Sequence, residues 1–511
     1  MKTPILGSTY VARSVNAADA RMVNLYPEVL QEGKEAAYLQ RCPGLQLLAS
    51  IGIGPIRGLW AFSNNASDAF VVSGTSLYKI NTSYAATLIG TIAGTGPVSM
   101  ADNGTQLFIA ANGPSYIYNN TTNAFSQITD PDFPGAVSVG FLDGYFVFNE
   151  PNSQKIWITS LLDGLSVDPL DFASAEGSPD GVVGLIIDHR EVWVFGTNSV
   201  EVWYDAGTQD FPLQRIQGAF NEIGCVSAYT LAKMDNGIFW LGADARGRGI
   251  VYRANGYTGQ RISTHAVEWH IQQYGDISDA LAYTYQQDGH SFYVLIFPSA
   301  NTTWVYDVAT QAWHERAGWS NGEFTRHRSN CQMSFNNEII VGDYENGNLY
   351  TFDMETYADN GQIQKWLRSW RALPPGQNNL RRTAHHAMQI DIESGVGLNG
   401  SMIAESVYLQ AENGDYLVTE SGDYLIEEQQ SLVTQGSDPE VMLRWSDDGG
   451  HTWSNYHTSN VGKIGEFYRR VWFRRLGMTL KLRDRVYELS MTDPVKTAIM
   501  GAELIISPTN A

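Results

Sequence analysis

"SFYVLIFPSANTTWVYDVATQAWHE", residues 291–315, reads as a strand-like run, a turn, and a second strand closing on Tyr306. After a further turn comes a third strand, whose Trp313 falls seven residues beyond Tyr306. Runs of β-branched and aromatic residues punctuated by Gly, Asn, Asp and Ser are the signature of strands and their hairpins. The same hairpin recurs as "DAFVVSGTSLYKI", "TQLFIAANGPSYIYNN", "GYFVFNEPNSQKIWITS", "REVWVFGTNSVEVWYD", "GIFWLGADARGRGIVYRA" and "NEIIVGDYENGNLYTFD", seven in all. Their closing aromatics, Tyr78, Tyr118, Trp157, Tyr204, Tyr252, Tyr306 and Phe352, are spaced by 40, 39, 47, 48, 54 and 46 residues. Periods in this range are those of propeller blades of about four strands each.

Each hairpin is preceded by an apolar run rich in small residues, such as "GPIRGLWAF", "GTGPVSMAD" and "SDALAYTYQ". These suit innermost strands, where blades crowd the axis. An outer strand follows most hairpins, with a shared register in Tyr118 to Phe125, Tyr204 to Phe211 and Tyr306 to Trp313. All these aromatics are expected to pack between blades. The seventh unit has no outer strand of its own, because "METYADNG" runs into a break, and "GLQLLAS" at 44–50 is free to supply it. The expectation is an all-β chain, a propeller of about seven four-stranded blades closed by an N-terminal strand, which removes the exposed sheet edges of an open array.

The period is lost from about Gly361. After Asp438 come "VMLRWSDDGGHTWSNY", "EFYRRVWFRRLG", "LKLRDRVYELSM" and "AIMGAELIIS", the strands of a second, sandwich-like β domain. The boundaries expected are 1–50 for an arm with the closing strand, 51–358 for the propeller and 359–511 for the C-terminal domain. A tandem repeat, Asn413 to Glu420 and Ser421 to Glu428, marks a protruding acidic hairpin insert at about 405–430.

Composition narrows the function. The 33 basic residues face 54 acidic ones, a net charge of −21, which disfavours adhesion to phosphate backbones or anionic lipid. Cys42, Cys225 and Cys331 are odd in number and far apart, with neither disulfide nor zinc spacing. The first residues lack the apolar core of a signal peptide, and no apolar run has the length of a membrane span. His385 and His386 would face opposite sides of a strand, and His327 stands alone, so no metal is expected. No glycine-rich stretch has phosphate-cradling spacing, and no cofactor is expected.

"RWSDDGGHTW" holds Ser446, Asp448, Gly450, Thr452 and Trp453 at the spacing of an Asp-box, a motif of glycan-cleaving propellers. Its own role is a turn: the aspartate accepts backbone N–H bonds and the glycine permits the tight bend. Only one box is present, and it lies outside the repeat. A turn without catalysis is the expectation, with an Asp-box glycosidase as the enzyme alternative. In "FYRRVWFRRL", Arg469, Arg470, Arg474 and Arg475 point to a subunit interface rather than nucleic acid, since arginine suits carboxylate pairing in so acidic a chain.

The order of "NLYPEVL", "YLQRCPGLQLL", "GTGPVSMADNG" and "GSPDGVVGL", with "YRRVWFRRLG" and "RDRVYELSMTDPV" near the C-terminus, resembles the tail hub or nozzle proteins of short-tailed phages, the packaged-DNA stabilisation family. The resemblance implies a structural virion protein, assembled in the host cytoplasm as a homo-oligomer, expected as a hexamer, beneath the portal and adaptor ring. It would extend the DNA channel, retain the genome, and carry tail fibres, spikes or a needle. Genomic DNA would pass without sequence-specific binding. A receptor- or glycan-binding tail protein is the alternative.

Overall fold

The computed structural model describes residues 1–509 except 15–17, 34, 65, 176, 209–210, 245–246, 375–381, 399–400, 409–425, 434 and 480–484. The chain forms two compact units. One comprises residues 7–27 and 42–364, the other residues 1–6, 28–41 and 365–511. Residues 1–50, expected as one arm, are therefore divided between the two.

The larger unit is a seven-bladed propeller. Blades 1 to 7 occupy residues 56–91, 99–127, 139–174, 182–221, 224–261, 281–315 and 329–353. The fourth strand of blade 7 is Gly44–Ser50, antiparallel to Asn348–Asp353, so the N-terminal strand closes the ring. Within the second strand of blade 6, Tyr293, Leu295 and Phe297 pack towards blade 5, and Phe292, Val294 and Ile296 towards blade 7. Alternate residues of a strand face opposite sides. With a blade on each side, both sets are apolar, which is why "FYVLIF" reads as an unbroken hydrophobic run.

The core is divided in the same way, into clusters shared by neighbouring blades around the ring. Near the axis the contacts leave no room for side chains: a Cβ on Gly58 would lie 2.5 Å from Val98 Cγ2, and one on Gly140 2.3 Å from Ile187 Cγ1. The small residues of the first strands answer this crowding.

Two of the three aromatic registers are cross-strand pairs, Tyr118 with Phe125 and Tyr306 with Trp313, the latter with ring centroids 5.2 Å apart. The third differs. Tyr204 pairs with Gln214 and is 40% exposed, because Trp203 takes the inward position in blade 4. The widest spacing, Tyr252 to Tyr306, holds a helix, His265–Gln273, capped by Thr264 and burying Val267 and Ile271 in the core between blades 5 and 6. The arm joins blade 6: Val23 pairs in parallel with Glu315, and Arg21 binds the Glu315 carboxylate at 2.9 and 2.7 Å.

The smaller unit is a β-sandwich. One sheet orders Trp366–Arg371, Val486–Met491, Glu440–Ser446 and His457–Asn460. The other orders Val471–Arg474, Thr383–Ile392, Ala498–Pro508 and Ala37–Arg41, with Lys2–Thr3 also on Ala498–Pro508. His385 Nδ1 lies 2.7 Å from Tyr487 Oη, tying the sheets together. The expected insert begins as a ladder of Ser401–Tyr408 with Ile426–Val433. Its tip, with most of the tandem repeat, lies outside the described residues. Among those described, no helix is long and apolar enough to cross a membrane.

Candidate functional site

Arg469 and Arg470 end the loop that leads into Val471–Arg474, and Arg475 follows with φ +58°. All four arginines, Arg469, Arg470, Arg474 and Arg475, are exposed, and none makes an ion pair with a described residue. Arg474 lies over the Trp472 ring, 5.2 Å from its centroid. Beside them Phe467 and Tyr468 are 77% and 81% exposed. The loop is nonetheless held: Ser394 Oγ donates to Phe467 O at 3.0 Å and Gly465 N–H to Gly395 O at 3.2 Å. Tyr468, Arg469, Arg470 and Trp472 line one shallow concavity, which Arg474 joins over the Trp472 ring, and these arginine side chains have no hydrogen-bond acceptor among the described residues. The pair Phe467–Tyr468 was legible in "EFYRRVWF" only as hydrophobic strand residues.

Two other arginines of the sandwich are engaged in ion pairs. Arg485 is buried and grips Asp447 at 2.6 and 2.8 Å, and Arg444 binds Glu488 at 2.6 and 2.9 Å. Charged pairs of this bidentate kind fix orientation as well as charge. Lys481, Arg483 and Asp484 lie outside the described residues.

The Asp-box is a closed turn. Asp448 Oδ1 accepts from the backbone N–H of His451 at 3.0 Å and of Thr452 at 2.8 Å, and Oδ2 from Thr452 Oγ1 at 2.6 Å. Ser446 Oγ donates to Asp448 Oδ1 at 2.6 Å and accepts from Gly450 N–H at 2.8 Å. Gly450 has φ +101°, a conformation that excludes most side chains. These hydrogen bonds hold the Asp448 carboxyl well below the usual carboxylate range. Trp453 stacks under Arg444, 4.8 Å from ring to guanidinium. The carboxylate is engaged in holding the turn.

The propeller axis encloses about 630 Å³, lined by the first strands of all seven blades. Its ionisable residues are few: Arg57 is buried and donates to three backbone oxygens, of Gly74, Ala93 and Gly96. Asp102 accepts from Trp60 Nε1 and Ser63 Oγ. Such a volume matches a small-molecule pocket, far short of a duplex conduit. Among the described residues no cluster of His, Cys, Asp and Glu could hold a metal. His385 and His386 do face opposite ways: His385 is buried, whereas His386 is exposed and meets Ser507 Oγ at 2.7 Å.

Comparisons with known proteins follow the same division. The family model described as "Bacteriophage P22 Gp10, beta-propeller" matches residues 1–357, and "Bacteriophage P22 Gp10, beta-sandwich" matches 416–507. The tail hub protein gp10 of Salmonella phage P22 is 22% identical over 312 residues, 58% of this chain and 64% of that protein. The alignment thus spans less than two thirds of the relative's length. Similar solved structures include the Neurospora crassa Pan2 WD40 domain, with TM-score 0.41 and 9% identity, covering 64% of this chain and 98% of that one. Another is virginiamycin B lyase from Staphylococcus aureus, at 0.39 and 10%, covering 60% and 98%. With the propeller model alone covering most of its length, the chain belongs to the phage P22 Gp10 family of short-tailed phage tail hub proteins.

Proposed function

We propose that this chain is a structural subunit of the virion tail, forming a homo-oligomeric hub, a hexamer by expectation, beneath the portal and adaptor. It extends the DNA channel, retains the packaged genome and anchors fibres, spikes or a needle. The observation that carries this reading is the match of both units, propeller and sandwich, to the two models of one tail hub family. The propeller axis is too small for a duplex, so the channel would run between copies, and the blades would act as rigid lateral scaffolds. Part of the net −21 charge would line that channel, where a negative wall lets DNA slide without adhering.

The role is mechanical and not enzymatic. Support comes from the Asp-box carboxylate, whose oxygens are engaged by its own turn. The test is electron microscopy of particles from cells infected by a phage lacking the gene. Empty or DNA-leaking heads without a hub are expected. Complete tailed particles that fail to adsorb would overturn the reading in favour of a receptor- or glycan-binding appendage.

A further inference from the structure

The connection between the third and fourth strands of blade 3, residues 159–171, carries four leucines into solvent: Leu161, Leu162, Leu165 and Leu170, exposed 60%, 61%, 39% and 80%. The loop is held in place. Gly164 N–H donates to Gln106 Oε1 at 2.8 Å, Val167 N–H to Asp130 Oδ2 at 3.2 Å, and Leu162 N–H to Gly144 O at 2.8 Å. Leu162 adopts φ +58°, the left-handed region that disfavours such a residue. Four exposed leucines on one ordered loop, one of them in a strained backbone conformation, mark an interaction surface.

The surroundings are acidic. Asp130, Asp132, Asp163, Asp168 and Asp171 stand in or beside the loop, and none pairs with a described cation. The arginine face of the sandwich has the opposite charge and a matching apolar part, Phe467 and Tyr468. Arginine and tyrosine are the residue types that dominate binding energy at interfaces.

We propose that the blade 3 leucine loop of one copy docks on the Phe467–Arg475 face of the sandwich of a neighbouring copy. This deepens the hub reading and rests on it. Two different surfaces meeting head to tail form a heterologous interface, the kind that closes into rings. Charge complementarity selects the occupant: arginines and aspartates that have no ion-pair partner among the described residues meet one another, while leucines cover the aromatic rings. Duplex DNA would satisfy the arginines and leave the leucines and Phe467 in water.

The test uses the full-length chain. Arg469→Glu with Arg470→Glu in one variant, and Asp163→Arg with Asp168→Arg in another, should each weaken self-association at least about tenfold by analytical ultracentrifugation, since close interfacial charges couple strongly. Mixing the two reversed variants should restore association between them. In parallel, Leu170→Cys and Tyr468→Cys chains, mixed under mild oxidation, should form a disulfide-linked heterodimer, with little linkage when either is alone. The native thiols stay silent, since burial pushes Cys225 and Cys331 each up to about 12 and Cys42 is buried.

Reversed variants that associate as the wild type does, or a cysteine mixture that stays unlinked, would overturn the interface while leaving the hub reading intact. Binding of duplex DNA that Arg469→Glu abolishes, with association unchanged, would overturn it in favour of nucleic acid. Failure of the hub reading is separate, and shows as complete tails on virions lacking the protein.

Discussion

Leu45 and Phe352 are paired across the seam of the propeller, the one on the strand that enters the ring and the other on the hairpin that ends it. Both are buried, in the cluster shared by blades 6 and 7. Residues 307 positions apart thus complete one blade, and the ring has no free edge there.

The seam leaves no space at Gly44. A Cβ there would lie 2.5 Å from Ala358 O and 2.6 Å from Thr356 O, backbone atoms that cannot swing away. Gly44→Ala should destabilise the propeller by about 1–3 kcal/mol, the usual cost of overpacking. Gly96→Ala, where a Cβ meets nothing within 4 Å, should stay within about 0.5 kcal/mol of wild type in thermal or urea melts.

Arg316 is fully buried in blade 6, with no carboxylate partner among the described residues. Its guanidinium lies 5.2, 5.5 and 5.1 Å from the rings of Tyr285, Phe292 and Phe352, its Nη2 donates to Tyr285 Oη, and its Nε and Nη1 have no hydrogen-bond partner among the described residues. A buried charge of this kind contributes little beyond its packing. Arg316→Met should keep or raise the melting temperature, whereas Arg316→Ala, which leaves a cavity, should cost about 2–5 kcal/mol.

His327 and His385 are buried as neutral rings. Burial, with Arg316 beside the first and Arg485 beside the second, lowers each to about 3. A folded value below the unfolded 6.5 means the native state binds fewer protons, so this stability is complete above about pH 6.5 and is lost as pH falls towards 3. Melting temperatures at pH 7, 5 and 4 should fall in that order. His385→Phe should flatten the decline of the sandwich transition more than that of the propeller.

Asp448 ties the turn that leads out of Glu440–Ser446. Asp448→Ala should lower sandwich stability by about 0.5–1.5 kcal/mol, because two exposed backbone N–H groups exchange a charged acceptor for water. Because these bonds depress the Asp448 pKa, their contribution is present above about pH 4 and fades below it. Paired melts at pH 7 and pH 3 should show the variant's deficit shrinking.

Much of this molecule was legible along the chain. The seven hairpins, the small-residue first strands and the closing role of "GLQLLAS" follow from local rules, because a blade is a meander of consecutive strands and every turn announces itself. Tyr204 shows where such reading stops. A longer loop before Leu213 shifts the pairing, and a shift in register reassigns which aromatic faces inward. The helix His265–Gln273 was missed because its apolar residues are few and their burial depends on blades 5 and 6.

What the sequence determined by itself was the repeat, the two architectures and the sign of the charge, all properties of neighbours in the chain. Tertiary structure alone decided which ionic groups are spent. Arg485 meets Asp447 and Arg444 meets Glu488 inside the sandwich, while Arg469, Arg470, Arg474 and Arg475 are left outside. The same arbitration places Leu161 and Leu170 in water while leucines such as Leu45, Leu241 and Leu295 are core. A charge or an apolar side chain carries no label of its partner in one dimension. Pairing and burial are set by which strands fold to lie beside it, and that is known only once the ring has closed.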